Sequence, residues 1–236
     1  MLRSLLTILG SYLFGAVPVA YLTGRLLKGV DIREYGSGNV GPSNIWRHVS
    51  KPATIPVGLA EIAQGAAGPL VARETGQGEG AQALAGLAAL VGHNWSPFLG
   101  FTGGRGIAHA MGYMLVVSRP ALGAFAALAL LGVAIRKIPQ LVLLGVLAMP
   151  LAALAARQRP EIIAGNATVA ATIVAKRLLS NDNSLSWGRV LLYRLLYDRD
   201  TKEREAWVER ADQSGPRATK TSSGLASVSS ERSQSP

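Results

Sequence analysis

Apolar positions fall in long blocks from Leu2 to about Ala175, and the charged residues between them gather in short islands. A helix needs about 20 apolar residues to cross the hydrocarbon of a bilayer, with roughly 17 to 25 tolerated. Blocks at residues 2–24, 53–72, 81–99, 106–118, 120–135, 138–156 and 160–175 meet or approach that length. The pattern predicts an all-α, polytopic transmembrane helix bundle of about seven spans. The blocks at 106–118 and 160–175 are short, so five or six crossings would also fit. Gly10, Gly15 and Pro18 interrupt the first block, and Glu61 and Gln64 sit near the middle of the second. Stretches such as AEIAQGAAGP and ALAGLAALVG suit a bundle, because small side chains let helix backbones approach where lipid supplies no hydrophobic drive.

Beyond Asn181 the pattern changes. In LSWGRVLLYRLLYDRD, Leu185, Val190, Leu191, Leu195 and Leu196 alternate with Arg189, Arg194 and Arg199, which predicts an interfacial amphipathic helix. From Gln213 onward Ser, Gly, Pro and Thr dominate, a composition too polar to offset ordering entropy. The chain thus divides into a transmembrane unit at 1–180, an amphipathic segment at 181–212 and a disordered tail at 213–236.

Composition agrees with this division. Only 16% of residues are charged, below the roughly one quarter of a soluble domain. The net charge of +10 sits beside apolar segments without an aromatic-basic stripe, so it points to anionic lipid and not to nucleic acid. The chain has no cysteine, which excludes disulfides and thiolate catalysis. The run from Leu5 to Leu22 lacks a cleavage site and further spans follow it, so a signal peptide is not expected. With the N-terminus outside, the inside segments hold Arg25, Lys28, Arg33, Arg47, Lys51, Arg105, Arg136, Lys137, Lys176 and Arg177. The outside segments hold Arg3, Arg73, Arg119, Arg157 and Arg159. This bias places two polar, glycine-rich loops on the cytoplasmic face.

Those loops hold the candidate chemistry. The first reads GVDIREYGSGNVGPSNIWRHVSKP. Gly36, Gly38 and Gly41 open backbone geometry denied to other residues, and consecutive N–H groups in such turns make anion-binding nests. Ser37, Asn39, Ser43 and Asn44 add hydroxyls and amides, and Arg33 could hold a phosphate through two donors. A capped, flexible interhelical loop is the bland alternative. The second loop reads GHNWSPFLGFTGGRGIAHAMG, where Gly103, Gly104 and Gly106 surround Arg105 just before a helix begins. Glycine-rich backbone leading into a helix N-terminus is suited to an anion, although TGGRGIAH lacks P-loop spacing. His93 sits where the third span ends, as either a structural or a proton-accepting group. His48, His93 and His109 show no dense ligand spacing, so no metal site and no cofactor are predicted. Glu61 is a carboxylate inside a span, a position that marks either a polar partner or function.

GAVPVAYLTGRLLKGVDIREYGSGNVGPSNIWR followed by GHNWSPFLGFTGGRGIA resembles the acyl-phosphate-dependent glycerol-3-phosphate acyltransferases, small bacterial membrane enzymes that make lysophosphatidate. The resemblance covers roughly residues 10 to 180. It implies transfer of a fatty acyl group from acyl phosphate to glycerol 3-phosphate in phospholipid synthesis. The location implied is the inner or plasma membrane of a bacterium, with a phosphate acyltransferase supplying the donor. Residue by residue, it implies catalytic roles for Ser37, Asn39 and His93. It implies substrate binding by Arg33, Gly38, Asn44, Gly103, Gly104, Arg105 and Gly106. The chain departs from the family pattern at three places. Arg105 stands where the family usually has Lys. An Asp-x-x-Lys-Gly element reads Glu61, Gln64 and Gly65 here, without the Lys. The His and Asn of a third motif ending at Arg177 and Leu178 fall on Ala171 and Val174. Two other functions share these features: a membrane transporter of phosphorylated solutes, which would need a through-path, and a catalytically degenerate relative acting as a scaffold.

Overall fold

The computed structural model describes residues 1–179 and 188–198. The first apolar block breaks where expected. Pro18 lacks a backbone N–H, so α1 (Leu2–Gly15) stops short of it and α2 (Val19–Lys28) starts after it. Gly29, in the left-handed conformation at φ 67°, closes α2. A short 3-10 turn (Ile32–Glu34) and α3 (Pro42–His48) form the first polar loop. Then follow α4 (Thr54–Glu74), α5 (Glu79–Asn94), a 3-10 turn (Pro97–Leu99), α6 (Ile107–Val117), α7 (Arg119–Ala134), α8 (Ile138–Ala155) and α9 (Pro160–Leu179). The last described helix is α10 (Arg189–Tyr197).

Four of the expected spans are helices long and apolar enough to cross a membrane among the described residues: the broken Leu2–Lys28 pair, α4, α8 and α9. The 21 residues of α4 extend about 32 Å at 1.5 Å per residue, which matches a hydrocarbon core of about 30 Å. The other three expected spans are shorter helices. α5 gives way at Trp95 to the second loop, and α6 begins only after Gly106, so α5 and α6 have 16 and 11 residues. α7, starting directly after Ser118, has 16. The bundle is all-α and packs chiefly through α7 on α8, α4 on α6, and α1 on α5.

The α4–α6 contact is close because both helices are stripped of side chain where they cross. A Cβ on Gly65 would lie 2.0 Å from the His109 carbonyl oxygen, and one on Gly112 would lie 1.9 Å from that of Ile62. One apolar core surrounds Tyr113, Met114, Phe125, Met149 and Ile173. A second, around Ile32, Val40, Ile45, Val57 and Leu99, underlies the polar loops. Leu144, Leu147, Leu151 and Leu154 on α8 are exposed at helical spacing, as are Leu2, Leu5, Leu6, Leu9 and Leu13 on α1. Apolar stripes this long need a lipid cover in a monomer.

Helix α10 falls inside the amphipathic segment, but only Arg189 of its two arginines faces outward. Arg194 is buried and donates to the Leu178 carbonyl, and α10 packs on α8 and α9. The tail expected at 213–236 lies outside the described residues.

Candidate active site between the two polar loops

The first loop is organised by Asp31. Its carboxylate caps the 3-10 turn by accepting from the Arg33 backbone N–H at 3.0 Å, and takes the Arg33 guanidinium at 2.7 Å and that of Arg25 at 3.2 Å. The Arg33 hydrogen bonds hold the Asp31 pKa below the usual carboxylate value, and Asp31 raises that of Arg33 in return. Arg33 also donates to the Leu99 carbonyl at 3.3 Å and the Thr102 hydroxyl at 3.4 Å. Arg33 therefore ties the two loops together. Asn44 braces the same loop from below, its buried amide donating to the Ile32 and Tyr35 carbonyls at 2.9 Å each.

The second loop folds back on the end of α5. Ser96 N–H donates to the Thr102 carbonyl and Gly104 N–H to that of His93, at 3.1 and 3.2 Å. A Cβ on Gly103 would lie 2.1 Å from the His93 carbonyl oxygen, and one on Gly104 would lie 1.9 Å from His93 Nε2. No residue but glycine fits at either position. Gly106 follows at φ 75° as the N-cap of α6, so the loop ends on the positive end of a helix dipole.

Between the loops opens a cavity of about 910 Å³. Its polar wall includes Ser37 and Asn39 from the first loop, His93 from α5, and Arg105 with Gly106 from the second loop. Ile62, Ile107, Met111, Val133, Val142 and Ile173 form an apolar wall. Five of the ten site residues read from the sequence thus converge on one space. Gly103 and Gly104 pack against His93 without lining it, while Arg33, Gly38 and Asn44 belong to the loop framework and do not line it either.

Sequence reasoning missed several lining residues. Arg177 on α9 reaches the cavity, donating to the Arg194 and Pro139 carbonyls, and lies 3.2 Å from an Asp198 carboxylate oxygen. Asp198, at the C-cap of α10, also pairs with Arg105, so one carboxylate bridges the two cavity guanidiniums. Arg136 and Lys137 add positive charge at the α7–α8 turn. The sequence signals for these were the basic clusters at Arg136–Lys137 and Lys176–Arg177 and the third motif ending at Arg177; none pointed to Asp198. Glu61, singled out as an intramembrane carboxylate, lines the cavity, whereas Gln64 donates to the Phe14 and Val17 carbonyls. On α9, Ala171 is exposed and Val174 is only partly buried, so the substituted motif positions do not carry the polar face. Lys176 and Arg177, both buried, carry it instead.

Known proteins resemble this chain in sequence and in fold. The family model for glycerol-3-phosphate acyltransferase matches residues 5–186. Glycerol-3-phosphate acyltransferase 5 of Dehalococcoides mccartyi is 35% identical over 213 residues, 86% of this chain and 91% of that protein. Glycerol-3-phosphate acyltransferase 1 of Deinococcus radiodurans is 43% identical over 122 residues, 52% of this chain and 61% of its own. Among solved structures, PlsY (YgiH), an integral membrane glycerol 3-phosphate acyltransferase in its glycerol 3-phosphate form, superposes with a TM-score of 0.68 at 26% identity. That match covers 80% of this chain and 98% of PlsY. The family model spans residues 5–186, and the chain belongs to the glycerol-3-phosphate acyltransferase family.

Proposed function

We propose that this chain, a multi-pass protein of the bacterial inner membrane, transfers a fatty acyl group from acyl phosphate to a hydroxyl of glycerol 3-phosphate. The glycerol oxygen attacks the acyl carbonyl, the bond from carbon to the phosphate oxygen breaks, and lysophosphatidate and inorganic phosphate result. The donor is a mixed anhydride with a good leaving group, so no enzyme nucleophile is needed. Placement and charge stabilisation can supply much of the rate.

The observation that carries this reading is the single cavity whose polar wall holds hydroxyl, amide, imidazole and guanidinium groups and whose other wall is apolar. In this reading Arg105 and Arg177 neutralise phosphate, and the loop at 103–106 presents backbone N–H groups at the α6 N-terminus. Ser37 and Asn39 orient the acceptor. His93 accepts the hydroxyl proton, and the acyl chain lies along Met111, Val142 and Ile173. Arg33, Gly38 and Asn44 act by holding the first loop in place. Residues 1–180 form the catalytic membrane unit, the loops open to the cytoplasm, and the α10 segment borders the mouth of the site. An acyl phosphate is reactive in water, so a phosphate acyltransferase working at the same membrane is the partner that would supply it.

The test is an assay of the purified protein with acyl phosphate and glycerol 3-phosphate, with acyl-CoA as comparison donor. The reading requires lysophosphatidate from acyl phosphate and little or none from acyl-CoA. Absence of product from a folded protein with either donor would favour a non-catalytic relative.

A further inference from the structure

Three buried ionisable side chains from three helices meet beneath the polar loops. Glu61 of α4, His93 near the end of α5 and His109 in the first turn of α6 each bring one ligand-type atom within 4.8 Å of the others. The three are 2%, 6% and 0% exposed. The imidazoles of His93 and His109 stack with ring centroids 4.1 Å apart. Glu61 Oε1 and both ring nitrogens of His109 make no hydrogen bond of good geometry, although the Gly15 carbonyl lies beside His109. Among the described residues no basic side chain forms an ion pair with Glu61. Gln64, one turn along, is turned away to the carbonyls of Phe14 and Val17.

The close crossing at Gly65 and Gly112 holds α4 against α6, so the convergence belongs to the bundle and not to a mobile loop. A buried carboxylate oxygen and an imidazole without hydrogen-bond partners are costly in a low-dielectric interior. A divalent cation removes that cost by accepting one lone pair from each. We propose that Glu61, His93 and His109 form a binding site for a divalent transition-metal ion of the zinc type, at the polar end of the cavity.

Two nitrogens and one carboxylate oxygen are a donor set that zinc takes readily, and at bond lengths of about 2.1 Å tetrahedral ligands stand roughly 3.4 Å apart. Separations within 4.8 Å reach that value by rotation about side-chain bonds. Glu61 and His93 also line the cavity, which leaves the fourth position open to it. The cations nearby have other partners. Arg105 and Arg177 face Asp198, and the Lys176 ammonium, on the side of His93, lies 5.2 Å over the Trp95 ring. Zinc held by His93 takes the lone pair assigned above to the hydroxyl proton, so the loaded protein should turn over more slowly. That consequence rests on the proposed role of His93; the binding itself does not.

The experiment uses tag-free, detergent-purified protein equilibrated with Zn²⁺, freed of excess by size exclusion and analysed by elemental mass spectrometry. Wild type should retain about one Zn²⁺ per chain, as a three-ligand site does. Glu61→Gln and His109→Gln should each weaken binding at least as much as losing an outer-shell partner does, roughly tenfold or more. His48→Gln should leave binding unchanged. X-ray absorption of zinc-loaded wild type, which needs no variant to fold, should show two imidazoles in the first shell. Zinc well below one equivalent, equal affinity in His109→Gln, or a shell without two imidazoles would overturn the proposal. The first is also the result expected if the three groups share protons among themselves. Turnover measured in chelator reports on acyl transfer alone, so failure of the metal site and failure of the acyltransferase reading are distinguishable.

Discussion

Asp31 takes hydrogen bonds from the Arg33 backbone and from two guanidiniums while its own side chain is only 7% exposed. Its folded pKa lies below the unfolded value, so the carboxylate stabilises the loop fully above the ordinary range near about 3.9. That contribution is lost as pH falls through the folded pKa. Arg33 is 34% exposed, which places the expected loss on Asp31→Asn toward the low end of charged hydrogen bonds, about 1 to 2 kcal/mol at neutral pH. Thermal melts in detergent should show a gap between wild type and variant at pH 7 that narrows in acid. Equal melting at pH 7 would remove the clamp from the account. Gly103 tests close packing at the same scale. Its added Cβ would meet the His93 and Asn94 carbonyl oxygens at 2.1 and 2.8 Å. Backbone cannot step aside as a side-chain tip can, so Gly103→Ala should cost about 1 to 3 kcal/mol of stability and lower turnover with it. Unchanged melting and turnover would show the loop to be looser than drawn.

Helix α10 lies beyond the stretch matched by the family model, yet its C-cap supplies Asp198 to the two cavity arginines. A carboxylate there competes with a substrate phosphate for the same guanidiniums. Asp198→Ala should therefore lower KM for acyl phosphate or glycerol 3-phosphate by about tenfold, the equivalent of one charge-assisted hydrogen bond no longer displaced. A raised KM would mean that Asp198 positions Arg105 for substrate instead. Elements of this kind mark the limit of what the sequence discloses. Pro18 and Gly29 announce the ends of α1 and α2 because their backbone chemistry is local. The glycines around Arg105 announce a tight loop before α6 for the same reason. The inward turn of Arg194 depends on where α8 and α9 stand, which periodicity does not encode. Neither does it encode the meeting of Glu61 with His109, which are far apart in sequence and joined only by a helix crossing. On α9 the motif alignment drew attention to Ala171 and Val174, while the helix presents Lys176 and Arg177 to the interior.

At the scale of the molecule, the exposed leucine stripes require lipid and the polar loops require water, so the loops sit at one membrane surface. The excess of basic residues beside the loops predicts that they face the cytoplasm. The absence of native cysteine makes this directly testable. In intact cells a membrane-impermeant thiol reagent should reach Glu74→Cys, on the opposite side, and should reach Ser43→Cys only after permeabilisation. Ready labelling of Ser43→Cys in intact cells would invert the topology. The central claim is that both loops converge on one phosphate-binding site for acyl transfer, and Arg105 is the cavity guanidinium set among its glycines. Losing a buried charged contact typically costs about 2 to 5 kcal/mol, which corresponds to roughly 30-fold or more in turnover. Arg105→Lys should recover part of that, since charge survives without the planar donor fork. The deciding measurement is steady-state kinetics of wild type, R105A and R105K, varying acyl phosphate and glycerol 3-phosphate separately. The account predicts a loss of at least that size in R105A, felt chiefly with acyl phosphate and partly restored in R105K. Near wild-type constants for a folded R105A would contradict it.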